Sequence, residues 1–83
     1  MLTLEETILQ GRDWECVTVE DIDAGEAVDR RYDILETGLQ DGKDFVWGFR
    51  RSEYDGFTMN RPSHAVYAFC DPAMASFFRL KWA

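Results

Sequence analysis

The chain has 83 residues, a net charge of −7, 46% hydrophobic residues and 14% aromatics, which excludes a disordered chain and fits one folded domain over residues 1–83. No apolar run approaches the roughly 20 residues that span a bilayer, and Met1 to Gln10 carries Glu5 and Glu6 where a signal peptide would be basic, so a cytoplasmic protein with no membrane contact is expected. Two cysteines are too few for a disulfide framework, so Cys16 and Cys70 are expected as reduced, buried, small hydrophobes.

Residues 2–9 admit two readings. Leu2, Leu4 and Ile8 can share one face of a strand, whereas Thr3 with Glu6 reads as a capping box opening a short helix. Gly11, Arg12 and Asp13 break the segment either way, and a hairpin across Gln10–Asp13 is the favoured arrangement. Trp14 to Val19 is rich in β-formers and apolar or small on both faces, which suits an interior strand. A helix is expected from Ala24 to about Thr37, with Asp23 as N-cap, Glu26 completing a capping box and Gly38 as the C′ residue before apolar Leu39. Ala24, Ala27, Val28, Tyr32, Ile34, Leu35 and Leu39 fall on one side of it.

Asp41-Gly42 marks a turn. Phe45 to Arg51 then alternates Phe45, Trp47 and Phe49 on one face, as a strand does, and Gly48 inside it marks a bulge or a close backbone approach. Ser52 to Pro62 reads as a loop or wide hairpin, with turn signals at Asp55-Gly56 and Asn60-Arg61-Pro62. His64 to Cys70 is apolar on both faces and is expected at the centre of the sheet. Asp71-Pro72 opens a short helix through Ala73–Phe78, and Arg79 to Trp82 is expected as a last strand. The fold class is therefore α+β: an antiparallel sheet of four to five strands with one long and one short helix, in a ferredoxin-like split βαβ order.

Residues that carry chemistry are sparse. His64 is the one histidine, neither cysteine has a basic neighbourhood, and no nucleophile–base spacing stands out. Asp21-Ile-Asp23-Ala-Gly25 looks like the start of a calcium loop, but Glu26 and Tyr32 stand where that loop needs glycine and glutamate. Two cysteines and one histidine make no zinc site. The expectation is a non-enzymatic protein with no cofactor and no metal.

The charge distribution is more informative than its sum. Residues 1–44 carry thirteen acids against four bases, and residues 45–83 three acids against five, with ten of the twelve aromatics in the second part. On the long helix, Glu26, Asp29, Asp33 and Glu36 fall within a sector of about 80°. Glu20, Asp21 and Asp23 extend this stripe past the helix start. Neighbouring acids repel by roughly 0.2–0.5 kcal/mol a pair, although Arg30 is placed to offset Glu26 and Asp33. These seven acids are the candidate partner-binding residues, and their complement is a basic protein surface.

Two segments resemble known families. Asp71-Pro72 with Phe78-x-Leu80-x-Trp82, within the run from Ala68 to Trp82, resembles the ending of many small phage-encoded accessory proteins. That resemblance implies a phage or prophage protein that binds and blocks a host machine, as anti-CRISPR proteins and DNA mimics do. Val66 to Ala73 resembles the end of the third strand and the start of the second helix of an RNA-recognition motif, whose sheet aromatics stack bases. The basic, glycine-containing segment of that family is absent, because Pro62-Ser63-His64-Ala65 stands where it would begin, and an acidic chain repels phosphates. The resulting expectation is a small acidic protein-binding module that blocks a basic surface of a host nucleic-acid-handling protein, with direct nucleic-acid binding disfavoured. The alternatives are a single-strand nucleic-acid or ligand binder using the aromatic face around Trp47, and a homodimeric assembly module.

Overall fold

The computed structural model describes residues 3–82, except for the side chains of residues 53–55, 59 and 60. The element order is α1 (Leu4–Leu9), β1 (Glu15–Glu20), α2 (Ala24–Glu36), β2 (Phe45–Arg50), β3 (Glu53–Asp55), β4 (Thr58–Arg61), β5 (His64–Phe69) and α3 (Pro72–Lys81). The chain is α+β, but its main sheet has three antiparallel strands in the order β1-β5-β2, and β3-β4 is a separate hairpin. The expected four to five strands, and with them the ferredoxin-like order, are not what the chain forms.

β5 organises the rest. Its six residues are all buried, and it pairs with β1 on one side and β2 on the other. Side chains of a strand alternate between faces, so Ala65, Tyr67 and Phe69 share a face with Val17, Val19, Phe45, Trp47 and Phe49. That face is the main core, closed by Ala27 and Ile34 of α2 and by Ala75 and Phe78 of α3. His64, Val66 and Ala68 face the opposite way, toward α1. β1, expected in the sheet interior, is an edge strand. Glu15, Thr18 and Glu20 can therefore stay exposed beside buried Val17.

α1 settles the ambiguity of residues 3–9 in favour of helix and overturns the hairpin; Leu2, enlisted by the strand reading, lies outside the described residues. Thr3 Oγ1 accepts from the Glu6 amide at 3.2 Å and donates to the Glu6 carboxylate at 3.1 Å. The decisive contact is remote. A Cβ added at Gly48 would lie 2.8 Å from Ile8 and 2.9 Å from Leu4, so the missing side chain in β2 is the seat of the helix. Gly48 thus marks a close approach, and the β2–β5 register runs through it without a bulge.

α2 is capped as its sequence requires, with Asp23 accepting from the Glu26 amide at 2.8 Å and Gly38 left-handed at φ 94°. Its apolar stripe is narrower than the sequence reading. Ala27 and Ile34 are buried, whereas Val28 is 36% and Tyr32 55% exposed. Pro72 at the N-terminus and the Asp71 cap open α3 as expected, but the helix continues to Lys81 and no last strand forms. Phe78 and Trp82, one turn apart, both reach the core, with ring centroids 4.9 Å apart. Arg79 and Lys81 suit the C-terminal end of the dipole. The segment from Ser52 to Pro62 folds into β3 and β4 around Gly56 (φ 68°), so Asn60 and Arg61 are strand residues. Cys16 is half-buried and Cys70 exposed, both free thiols; the expectation of two buried cysteines is corrected, because Cys70 lies just beyond the end of β5.

Candidate functional site

The seven acids differ in what they already do. Glu20, at the end of β1, accepts from Arg61 at 2.8 Å, and the same guanidinium reaches Glu5 of α1 at 3.0 Å. Burial works to raise the Glu5 carboxyl, but the Arg61 hydrogen bond and charge outweigh it and hold Glu5 below the usual carboxylate range. Glu20 is thus a member of an ion triad that ties α1, β1 and β4 together. Asp21 adopts a left-handed backbone at φ 58°, which turns the chain sharply between β1 and α2, and its side chain is exposed. Asp23 is occupied as the helix cap.

Along α2, Asp33 is drawn inward and accepts from the Trp82 indole N–H at 3.3 Å. Glu26, Asp29 and Glu36 are exposed and make no ion pair with any described residue. Arg30, expected to offset Glu26 and Asp33, instead lies over the Trp82 ring at 5.6 Å, with its Nε buried and without a hydrogen-bond partner. Spacing alone does not show that Arg30 turns away from these acids and that Arg31 pairs elsewhere, with Asp41. The consequence is an uncompensated strip of carboxylates: Asp21 at the entry, then Glu26, Asp29 and Glu36 at helical spacing.

Beneath this strip the helix is firmly seated. Tyr67 of β5 donates its hydroxyl to the Ala27 carbonyl within α2. Burial pushes the Tyr67 phenol well above its ordinary value, with Arg30 opposing the rise and Asp33 adding to it. The phenol therefore stays a neutral donor across the range in which proteins fold. A helix fixed in this way presents its carboxylates at a set spacing of about 5.4 Å per turn.

The aromatic face around Trp47 is occupied. Trp47 stacks on Tyr67 at 6.1 Å, Tyr67 meets Trp82 at 5.0 Å, and Arg31 lies 5.9 Å over Trp47 while pairing with Asp41 at 2.9 Å. These rings form the core under α2 and α3, and the geometry lends no support to a base-stacking platform there. His64 is fully buried on the other face of the sheet from Trp47, with Nδ1 3.0 Å from the Pro62 carbonyl. Among the described residues no cluster of three or more His, Cys, Asp or Glu could hold a metal, and no helix is long and apolar enough to cross a membrane.

Comparisons with protein-family models, curated proteins and solved structures return no match.

Proposed function

We propose that the chain is a small, non-enzymatic protein-binding module whose acidic α2 face docks on a basic surface of a nucleic-acid-handling protein, in the manner of a phage-encoded DNA-mimic inhibitor. The observation that carries this reading is the strip of exposed carboxylates at Glu26, Asp29 and Glu36, with no ion pair among the described residues. Along the helix axis Asp29 lies about 4.5 Å beyond Glu26 and Glu36 about 10.5 Å beyond Asp29, and fixed anions on a rigid element steer association with a cationic groove. Asp21 extends the strip. Glu20, Asp23 and Asp33 support it by holding β1, the helix start and α3 in place.

The test is a capture experiment from host lysate at low and high salt, with wild type beside Asp29→Lys with Glu36→Lys. The expected result is a nucleic-acid-handling protein retained at low salt, displaced by added DNA or RNA, and lost with the double variant. Equal retention by the variant, or retention indifferent to nucleic acid, would remove the α2 face from the mechanism.

A further inference from the structure

Unlike α2 and α3, α1 contributes no residue to the main core among the described residues. No main-chain hydrogen bond among them joins α1 to the sheet. Its six residues fall well short of the roughly 12–15 at which a helix begins to hold alone in water, so its helicity depends on being docked. Two things dock it. Leu4 and Ile8 fill the hollow at Gly48, and Glu5 accepts at 3.0 Å from Arg61, the guanidinium that also holds Glu20 at 2.8 Å. The chain then leaves α1 abruptly, with Gln10 and Gly11 left-handed in succession at φ 51° and 84°.

The face beneath α1 is a second, smaller interior. His64, Val66 and Ala68 are fully buried there. Residues opposite one another on paired strands share a face, so Cys16, opposite Ala68, lies on the α1 side as well. The thiol is half-buried. Burial pushes it above its ordinary value, and the nearby charges of Glu5 and Glu15 add to the rise. Cys70, beyond the end of β5, is exposed.

We propose that α1 is a releasable strap that lifts from the sheet as a unit about Gln10-Gly11, with Arg61 as its latch, while the three strands, α2 and α3 stay in place. The division of the packing supports this. The aromatic core that joins the strands to α2 and α3 lies on the other face and loses nothing when α1 leaves. What is lost is one apolar hollow and one ion network at the surface. That network is open to screening, since at 1 M salt exposed charges more than about 3 Å apart are largely screened. On release α1 melts, the face of Val66 and Ala68 meets water, and Cys16 loses both its cover and the Glu5 charge. Cys16 is therefore the reporter of the open state. The strap is independent of α2 docking.

Iodoacetamide labelling of the two thiols, read by mass spectrometry with amide hydrogen exchange alongside, tests it. In wild type at low salt, Cys70 is labelled at the rate of a free thiol and Cys16 many-fold more slowly. Cys16 labelling, and exchange of the Thr7 and Gln10 amides bonded within α1, proceed while the β5 amides remain protected. Raising salt to 1 M, or Arg61→Met, speeds Cys16 labelling several-fold, and salt adds little to the variant. Gly48→Val denies α1 its seat and brings Cys16 close to the Cys70 rate, with β5 protection showing that the sheet stays folded. Cys16 labelling that begins only when the β5 amides lose protection overturns the proposal, because α1 then leaves only with the whole fold. Wild-type Cys16 labelled as fast as Cys70 also overturns it, by showing that α1 does not cover the thiol. A Cys16 rate indifferent to both salt and Arg61→Met overturns it at the latch.

Discussion

The two faces of the main sheet are held by different physics. Toward α2 and α3, a chain of rings runs from Phe45 through Phe69, Phe78 and Trp82 to Tyr67 and Trp47, with successive centroids 4.9 to 6.2 Å apart. Toward α1 there are small residues, a buried histidine, one glycine hollow and an ion triad on the rim. The first face holds the fold together through area removed from water. The second depends on shape and on a few placed charges, so a single change there costs less and acts on the seating of α1.

That contrast can be broken from either side. Phe78→Ala, on the aromatic face, should cost about 3–5 kcal/mol by loss of burial and creation of a cavity, read as a large drop in thermal midpoint. A cost below that of any α1-face variant would reverse the ranking. Gly48→Val should cost about 1–3 kcal/mol, because the added side chain enters space held by Ile8 and Leu4. Its signature is lost helicity and early exchange of α1 amides, with β5 protection retained. Arg61→Met should cost about 1 kcal/mol, as a partly exposed ion network does, and should also change the response to acid. The Glu5 carboxyl is held low in the folded state, so its contribution is present above the unfolded carboxylate value of about 4.3 and is lost as pH falls through the lower folded value. An acid-unfolding curve for Arg61→Met should lack that component, and an unchanged curve would show that the triad is ornamental. Thr3→Ala should cost the least, about 0.5 kcal/mol, because the cap serves a helix of six residues.

What the sequence disclosed follows the same division. The caps of α2 and the central place of β5 were readable because they rest on local signals: Asp23 before the helix, Gly38 after it, and a run apolar on both faces. Past Phe78 the α3 sequence is ambiguous because Phe-x-Leu-x-Trp also alternates like a strand, and the seat of Trp82 against Tyr67 and Asp33 decides for helix. α1 was undecidable alone, since its partner is the side chain missing at Gly48. The acidic sector was legible as a sector. Which of its carboxylates are already engaged was not, because Arg61 lies 41 residues from Glu20 and Trp82 lies 49 from Asp33.

The central position of β5 sets a timetable for synthesis. β1 and β2 never pair with each other; each waits for His64–Phe69. About twenty residues separate the end of β2 from the end of β5, so at about 5–20 residues per second the ribosome leaves β2 unpartnered for roughly one to four seconds. During that interval Phe45, Trp47 and Phe49 have no sheet to enter, and the nascent chain presents a short sticky segment that a chaperone can hold until its partner strand emerges.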